Sequence, residues 1–175
     1  MLKQFETLLS TAQREVWEGL ASPGAIQAFL DAIPYSAEDA NRSPLRVLRD
    51  RQAHCLDGAL FAALALHRLG YPPLIVDLLP EPGLDDDHVL AIYQRHGHWG
   101  ALAKSNFVGL RFREAVYRSL RELAMSYFEV YYNVDGVKTL RRYTRPINLV
   151  SWANLKWTTE DKGVDALEKY LKTLK

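Results

Sequence analysis

Residues 51–93 read RQAHCLDGALFAALALHRLG (51–70), YPPLIVDLLP (71–80) and EPGLDDDHVLAIY (81–93), and this stretch decides the fold. Alanine and leucine, both strong helix formers, dominate Leu56 to Leu69. Gly70 stands where a helix commonly closes in the left-handed conformation. Pro72 and Pro73 disfavour helix in the residues before them and force an extended exit into LIVDLL, a short strand. A polar loop, EPGLDDD, leads to HVLAIYQ, a second strand. His96-Gly97 is a turn, and HWGALAKS returns as the third strand of an antiparallel hairpin. A central helix that feeds a small, largely antiparallel sheet is an α+β arrangement.

Working outward, Phe5, Leu8, Leu9, Val16 and Leu20 recur at helical spacing and predict one amphipathic helix at the N-terminus. Ser22-Pro23 reads as N-cap and first residue of a second helix that ends near Pro34, and Ser43-Pro44 repeats the signal for a short helix through PLRVLRDRQ. Downstream, the text from Arg113 to about Tyr132 predicts a long amphipathic helix, with Val116, Leu120, Leu123 and Phe128 on one stripe. Asp135-Gly136 is a turn. KTLRRYTRPINLVSW supplies one or two strands broken at Pro146. Thr158 is positioned to cap a final helix carrying Val164, Leu167, Leu171 and Leu174. No internal repeat, low-complexity tract or long linker divides the chain, so residues 1–175 are expected to form a single domain.

Composition narrows the function. The chain has 175 residues, with 22 basic and 21 acidic side chains, so no overall charge favours nucleic acid or an anionic membrane. Arg141, Arg142 and Arg145 fit a solvated strand face. The longest apolar run, LFAALALH, is far shorter than the ~20 residues of a membrane helix. The N-terminal text carries acids throughout and is no signal peptide, and one cysteine forms no internal disulfide. The expected location is cytoplasmic.

That cysteine, Cys55, opens the central helix, where the positive end of the macrodipole favours thiolate. His88 opens the strand after the acidic loop. Brought beside the thiol, its imidazole would activate the nucleophile and protonate a leaving group. The competing reading is an inert buried cysteine, a common fate for this residue type. Gln52 would offer an oxyanion donor beside the Cys55 backbone N–H. His54 reads as a surface residue at the helix entrance. His67 is three turns along the helix and too far away to partner Cys55. His88, His96 and His98 with Asp85 to Asp87 lack the paired spacing of metal ligands, so neither a metal nor another cofactor is expected. Tyr127, Phe128, Tyr131 and Tyr132 read as helix packing.

The order of parts from Cys55 to about Asn106 resembles the transglutaminase-like superfamily of papain-type cysteine enzymes. A cysteine opens a helix, Gly70-Tyr71-Pro72-Pro73 turns into a strand, His88 begins a second strand, and Trp99 marks a third. The resemblance implies attack by Cys55 on an amide or ester carbonyl, with His88 as base and acid, through a thioester. Its substrate would be a protein, a peptide or a small amide. Members of the family usually place an aspartate a few residues beyond the tryptophan to orient the histidine. No Asp or Glu lies between Trp99 and Glu114 here, so Asn106 or Ser105 is left for that role. The alternative function is a degenerate domain of the same fold that binds a protein or peptide. A weaker third is a regulatory redox thiol using Cys55 alone.

Overall fold

In the computed structural model, residues 1–38 and 40–174 are described. Ser10 divides the N-terminal segment into α1 (Leu2–Thr7) and α2 (Thr11–Gly19). The Ser10 hydroxyl accepts the Gln13 N–H at 3.3 Å, and the Gln13 side chain accepts the Ser10 N–H at 2.9 Å. This reciprocal cap starts a new helix inside what the apolar spacing presents as one. Ser22 caps α3 (Pro23–Ala32) in the expected way, accepting the Ala25 N–H, and Pro44 opens α4 (Pro44–Asp50).

The central helix, α5 (Cys55–Arg68), begins at the cysteine. It ends at Gly70, which adopts φ 93°, where a side chain would be strained. The Gly70 and Tyr71 N–H groups close the helix on the His67 and Leu66 carbonyls. Strands β1 (Leu74–Pro80), β2 (His88–Arg95) and β3 (His98–Leu102) follow. His96 and Gly97, at φ 51° and 77°, form the two-residue turn between β2 and β3 with the twist an antiparallel hairpin prefers.

The stretch from Arg113 to Tyr132 departs from the long helix its periodicity suggests. It splits into β4 (Arg113–Tyr117) and α6 (Leu120–Phe128). Ser119 is the reason for the break, since its hydroxyl caps the Glu122 N–H at 3.1 Å. The residues before it pair with β3, Trp99 opposite Tyr117 and Ala101 opposite Arg113. Pro146 separates β5 (Leu140–Tyr143) from β6 (Ile147–Asn148). The last helix, α7 (Asp161–Lys172), has Glu160 as its N-cap; Thr158 is buried in the preceding turn and caps nothing.

The sheet runs β4-β3-β2-β1-β5, with β6 sharing the β5 edge of β1, and every pairing is antiparallel. Its two faces are buried differently. Ile75, Val89, Ala91, Tyr93 and Leu102 pack on α5, whose residues from Leu56 to Leu66 are all buried because the other helices wrap its far side. Val76, Leu78, Leu90 and Ile92 meet Leu123, Ala124 and Tyr127 of α6. The first turn of α5 presses so closely on the chain after β3 that a Cβ at Gly58 would stand 2.3 Å from the Lys104 Cβ. That contact fixes the cysteine end of the helix beside residues 103–105. Among the described residues no helix is long and apolar enough to cross a membrane.

Candidate active site

Three segments converge on the start of α5. The first is the loop after α3. Ser36 donates its N–H to the Ala53 carbonyl at 3.0 Å, and Ala53 donates to the Pro34 carbonyl at 3.3 Å. This short parallel pairing, Tyr35 opposite Ala53, lays Tyr35 alongside the next residues of the chain, His54 and Cys55. Two buried charges lock the loop in place. Asp57, in the first turn of α5, accepts the Arg42 N–H at 2.7 Å and the His54 N–H at 3.3 Å, and the His54 Nε2 stands 3.2 Å from its carboxylate. The Arg42 guanidinium returns to the loop through the Ser36 hydroxyl at 2.8 Å and the Glu38 carboxylate at 2.6 Å. His54 is therefore largely buried and tied to Asp57, not a surface residue.

The second segment is the acidic loop and the start of β2. The third is the turn after β3. Together they line a cleft of about 450 Å³ that includes Tyr35, His54, Cys55, Asp87, His88, Ser105, Asn106 and Leu110. Cys55 and His88 thus share one cleft. The Cys55 sulfur receives the backbone N–H groups of Leu56 and of Val89, the neighbour of His88. The Tyr35 hydroxyl reaches both the Cys55 thiol and the Cys55 backbone N–H. No sequence pattern marks Tyr35; only the pairing at Ala53 brings it here.

The imidazole of His88 is held by the main chain. Its Nε2 lies 2.7 Å from the Leu110 carbonyl oxygen. A carbonyl only accepts, so Nε2 carries the proton at this contact and the neutral ring keeps its lone pair on Nδ1. Ser105 and Asn106 both line the cleft, but neither is the acceptor. The Ser105 hydroxyl accepts the Phe107 N–H at 3.0 Å, Asn106 is exposed, and the Nε2 proton goes to the main chain. Leu110 lies in the one-turn helix Val108–Leu110, which brings its carbonyl to the position expected of one of those side chains. Gln52 does not line the cleft; the hydroxyl at the Cys55 N–H is that of Tyr35.

The electrostatics run against the thiolate expected from the helix start. Burial and the nearby Asp87 push the Cys55 thiol up to about 12, outweighing the two backbone N–H groups that favour the anion. Burial also holds His88 below its usual range, against the Leu110 carbonyl and Asp87, which raise it. Burial pushes Tyr35 up to about 12, and Asp57, buried despite its N–H partners, rises to about 7. At neutral pH the resting site holds a thiol, an imidazole and a phenol, all uncharged. Such a set can accept and return a proton without a standing charge in a poorly solvated place.

The remaining histidines lie elsewhere. His67 contacts the Tyr71 carbonyl at the far end of α5, and His98 contacts that of His96 in the hairpin turn. Among the described residues no group of three or more His, Cys, Asp or Glu side chains is arranged to hold a metal. The tyrosines divide: Tyr127 and Tyr131 are packed inside, whereas Tyr132 is exposed at the cleft.

No family model and no curated protein matches the chain. Similar solved structures include LapG of Legionella pneumophila in its calcium-bound form, at 16% identity and TM-score 0.45, covering 65% of this chain and 74% of that one. LapG treated with EGTA gives the same score and identity, with 72% of its chain covered. A provisionally assigned cysteine protease of Cytophaga hutchinsonii is 13% identical at TM-score 0.46, over 83% of this chain and 49% of its own. The solved structures that this chain is similar to are thus distant, and a cysteine protease is named among them.

Proposed function

We propose that the protein is a thiol hydrolase or acyltransferase acting on the amide bonds of a protein or peptide through a Cys55 thioester. The observation that carries this reading is the hydrogen bond from His88 to the Leu110 carbonyl, which leaves Nδ1 as the basic nitrogen in the cleft that Cys55 shares. His88 Nδ1 takes the thiol proton as sulfur attacks the substrate carbonyl. The C–S bond forms and the carbonyl electron pair moves to oxygen, which the Cys55 N–H and the Tyr35 hydroxyl stabilise. The C=O bond re-forms, the C–N bond breaks, and the leaving nitrogen takes the proton from His88. Water or an amine then gives a proton to His88 and attacks the thioester, and the departing sulfur recovers its proton.

The mouth of the cleft favours a polypeptide over a small amide. Phe107, at 61% exposure, and Tyr132, at 52%, stand on its rim, with Val108 next in the chain at 76%. A polypeptide lying across the cleft would cover these apolar side chains, and a small amide would leave them in water. A reducing compartment keeps Cys55 available as a nucleophile, so a cytoplasmic setting is part of the proposal.

Mixing the protein with activated acyl esters and following intact mass tests the reading. A hydroxylamine-labile adduct on Cys55 is expected, absent from Cys55→Ala and formed about 100-fold more slowly in His88→Ala. Equal acylation of the His88 variant, or no adduct in the wild type with any class of acyl donor, overturns it and leaves the binding domain as the better account.

A further inference from the structure

The turn that presents the Leu110 carbonyl is held from outside the cleft. The Arg113 guanidinium donates to the Gly109 carbonyl at 2.7 Å and to the Phe112 carbonyl at 3.0 Å. It is anchored in turn on α6, with its Nε 3.0 Å from the Ser126 hydroxyl and a second contact to the Ser126 carbonyl at 3.2 Å. Its charge sits 4.0 Å over the Tyr127 ring. The Tyr127 hydroxyl donates to the Arg111 carbonyl at 2.8 Å, and Arg111 Nε donates to the Ser105 carbonyl at 2.9 Å.

The carbonyls of residues 105, 109 and 111 are therefore bound by protein donors, and that of residue 110 faces His88. Gly109 makes the fit close, because a Cβ there would meet Val130 at 3.0 Å. The main chain is pinned on both sides of the one carbonyl that meets the imidazole. A one-turn helix on its own would leave that carbonyl free to swing, since its last carbonyls lack intrahelical donors.

We propose that Arg113, with Tyr127 beneath it, is the positioning residue of the site: it holds the Val108–Leu110 turn so that the Leu110 carbonyl orients His88. Arg113 touches neither thiol nor imidazole, and it acts through the turn. The functional meaning rests on His88 being the base, but the geometry can be read without any reaction. Direct support comes from the two-sided arrangement: one guanidinium bridges Gly109 and Phe112 to α6, and the Tyr127 hydroxyl of the same helix holds the Arg111 carbonyl on the other side of Leu110.

The ring nitrogens of His88 in the full-length protein, observed by long-range ¹H–¹⁵N correlation above the imidazole titration, give the test. The wild type is expected to show Nε2 protonated and Nδ1 bare. Arg113→Met should move the ring toward the tautomer mixture of a free imidazole and make it titrate at lower pH, because the carbonyl that raises its affinity for a proton has moved. Arg113→Lys should restore the wild-type pattern at least in part. Tyr127→Phe removes one hydroxyl and keeps the ring, so it gives the same reading, with a smaller shift, if Arg113→Met does not fold.

A wild-type ring protonated on Nδ1 overturns the proposal. So does a His88 spectrum unchanged in every folded variant. The acylation assay stands apart: a chain that forms no thioester yet shows the expected tautomer and its loss refutes the enzyme reading and keeps the clamp. Where acylation does occur, Arg113→Met should slow it by about tenfold or more.

Discussion

At Cys55 and His88 one cause works in opposite directions, because withdrawal from water raises the thiol and depresses the imidazole. Alkylation of Cys55 by iodoacetamide should therefore be slow at pH 7 and still rising above pH 9. It should not level off near the ordinary thiol value of about 8.5. A plateau near pH 7 would mean that a standing ion pair exists after all. Tyr35 carries a second prediction. Removing its hydroxyl in Tyr35→Phe should lower the acylation rate by about 100-fold, as loss of one oxyanion donor does, while thermal unfolding shifts little. Cys55 and His88 are legible in the sequence because each opens an element. Tyr35 is not, since its place depends on two hydrogen bonds to Ala53, eighteen residues along the chain. The Leu110 carbonyl is not legible either, because every residue carries one.

Elements position these groups through close contact, and Gly58 is where the contact is tightest. Gly58→Ala should destabilise the fold by about 3 kcal/mol, the upper part of the range for overpacking, because Lys104 lies behind it and the helix cannot back away from its own sheet. Urea denaturation would read the change, and a neutral result would show that residues 103–105 give way. The same elements show where sequence periodicity succeeds and fails. The Ala/Leu helix, the prolines after it and the His96-Gly97 hairpin are strong local signals, and each forms as its residues dictate. Ser10 and Ser119 carry capping patterns, yet apolar spacing runs through both and hides the breaks. In Arg113–Tyr117, five residues are too few to separate a strand from a helix turn, and pairing with β3 settles the matter.

Across the whole molecule, the loop after α3 and the central helix are tied at Asp57, whose carboxyl is lifted from an unfolded value of about 3.9 to about 7 by burial. Between these values the folded chain binds the proton more tightly than the unfolded chain. The residue therefore contributes stability at low pH, and the contribution is lost as pH rises from about 4 to about 7. Asp57→Asn cannot titrate. The stability of the wild type relative to this variant should fall across that window and flatten above it. Chemical denaturation at several pH values would show the slope, and subtracting the variant removes the other carboxylates from the comparison. A difference independent of pH would mean that folding leaves the proton affinity of Asp57 unchanged.

A main-chain carbonyl that orients the His88 ring has a genetic consequence. Aspartate or asparagine in that office can be erased by one codon change, whereas no codon at position 110 encodes a residue without a carbonyl. Leu110→Ala should keep the acceptor and Leu110→Asp should gain nothing in orientation. Deleting one residue between Ser105 and Arg111 should take the acceptor away, since it shifts which carbonyl meets His88. In this fold the vulnerability of the site lies in the length of a loop, and not in the spelling of its third member.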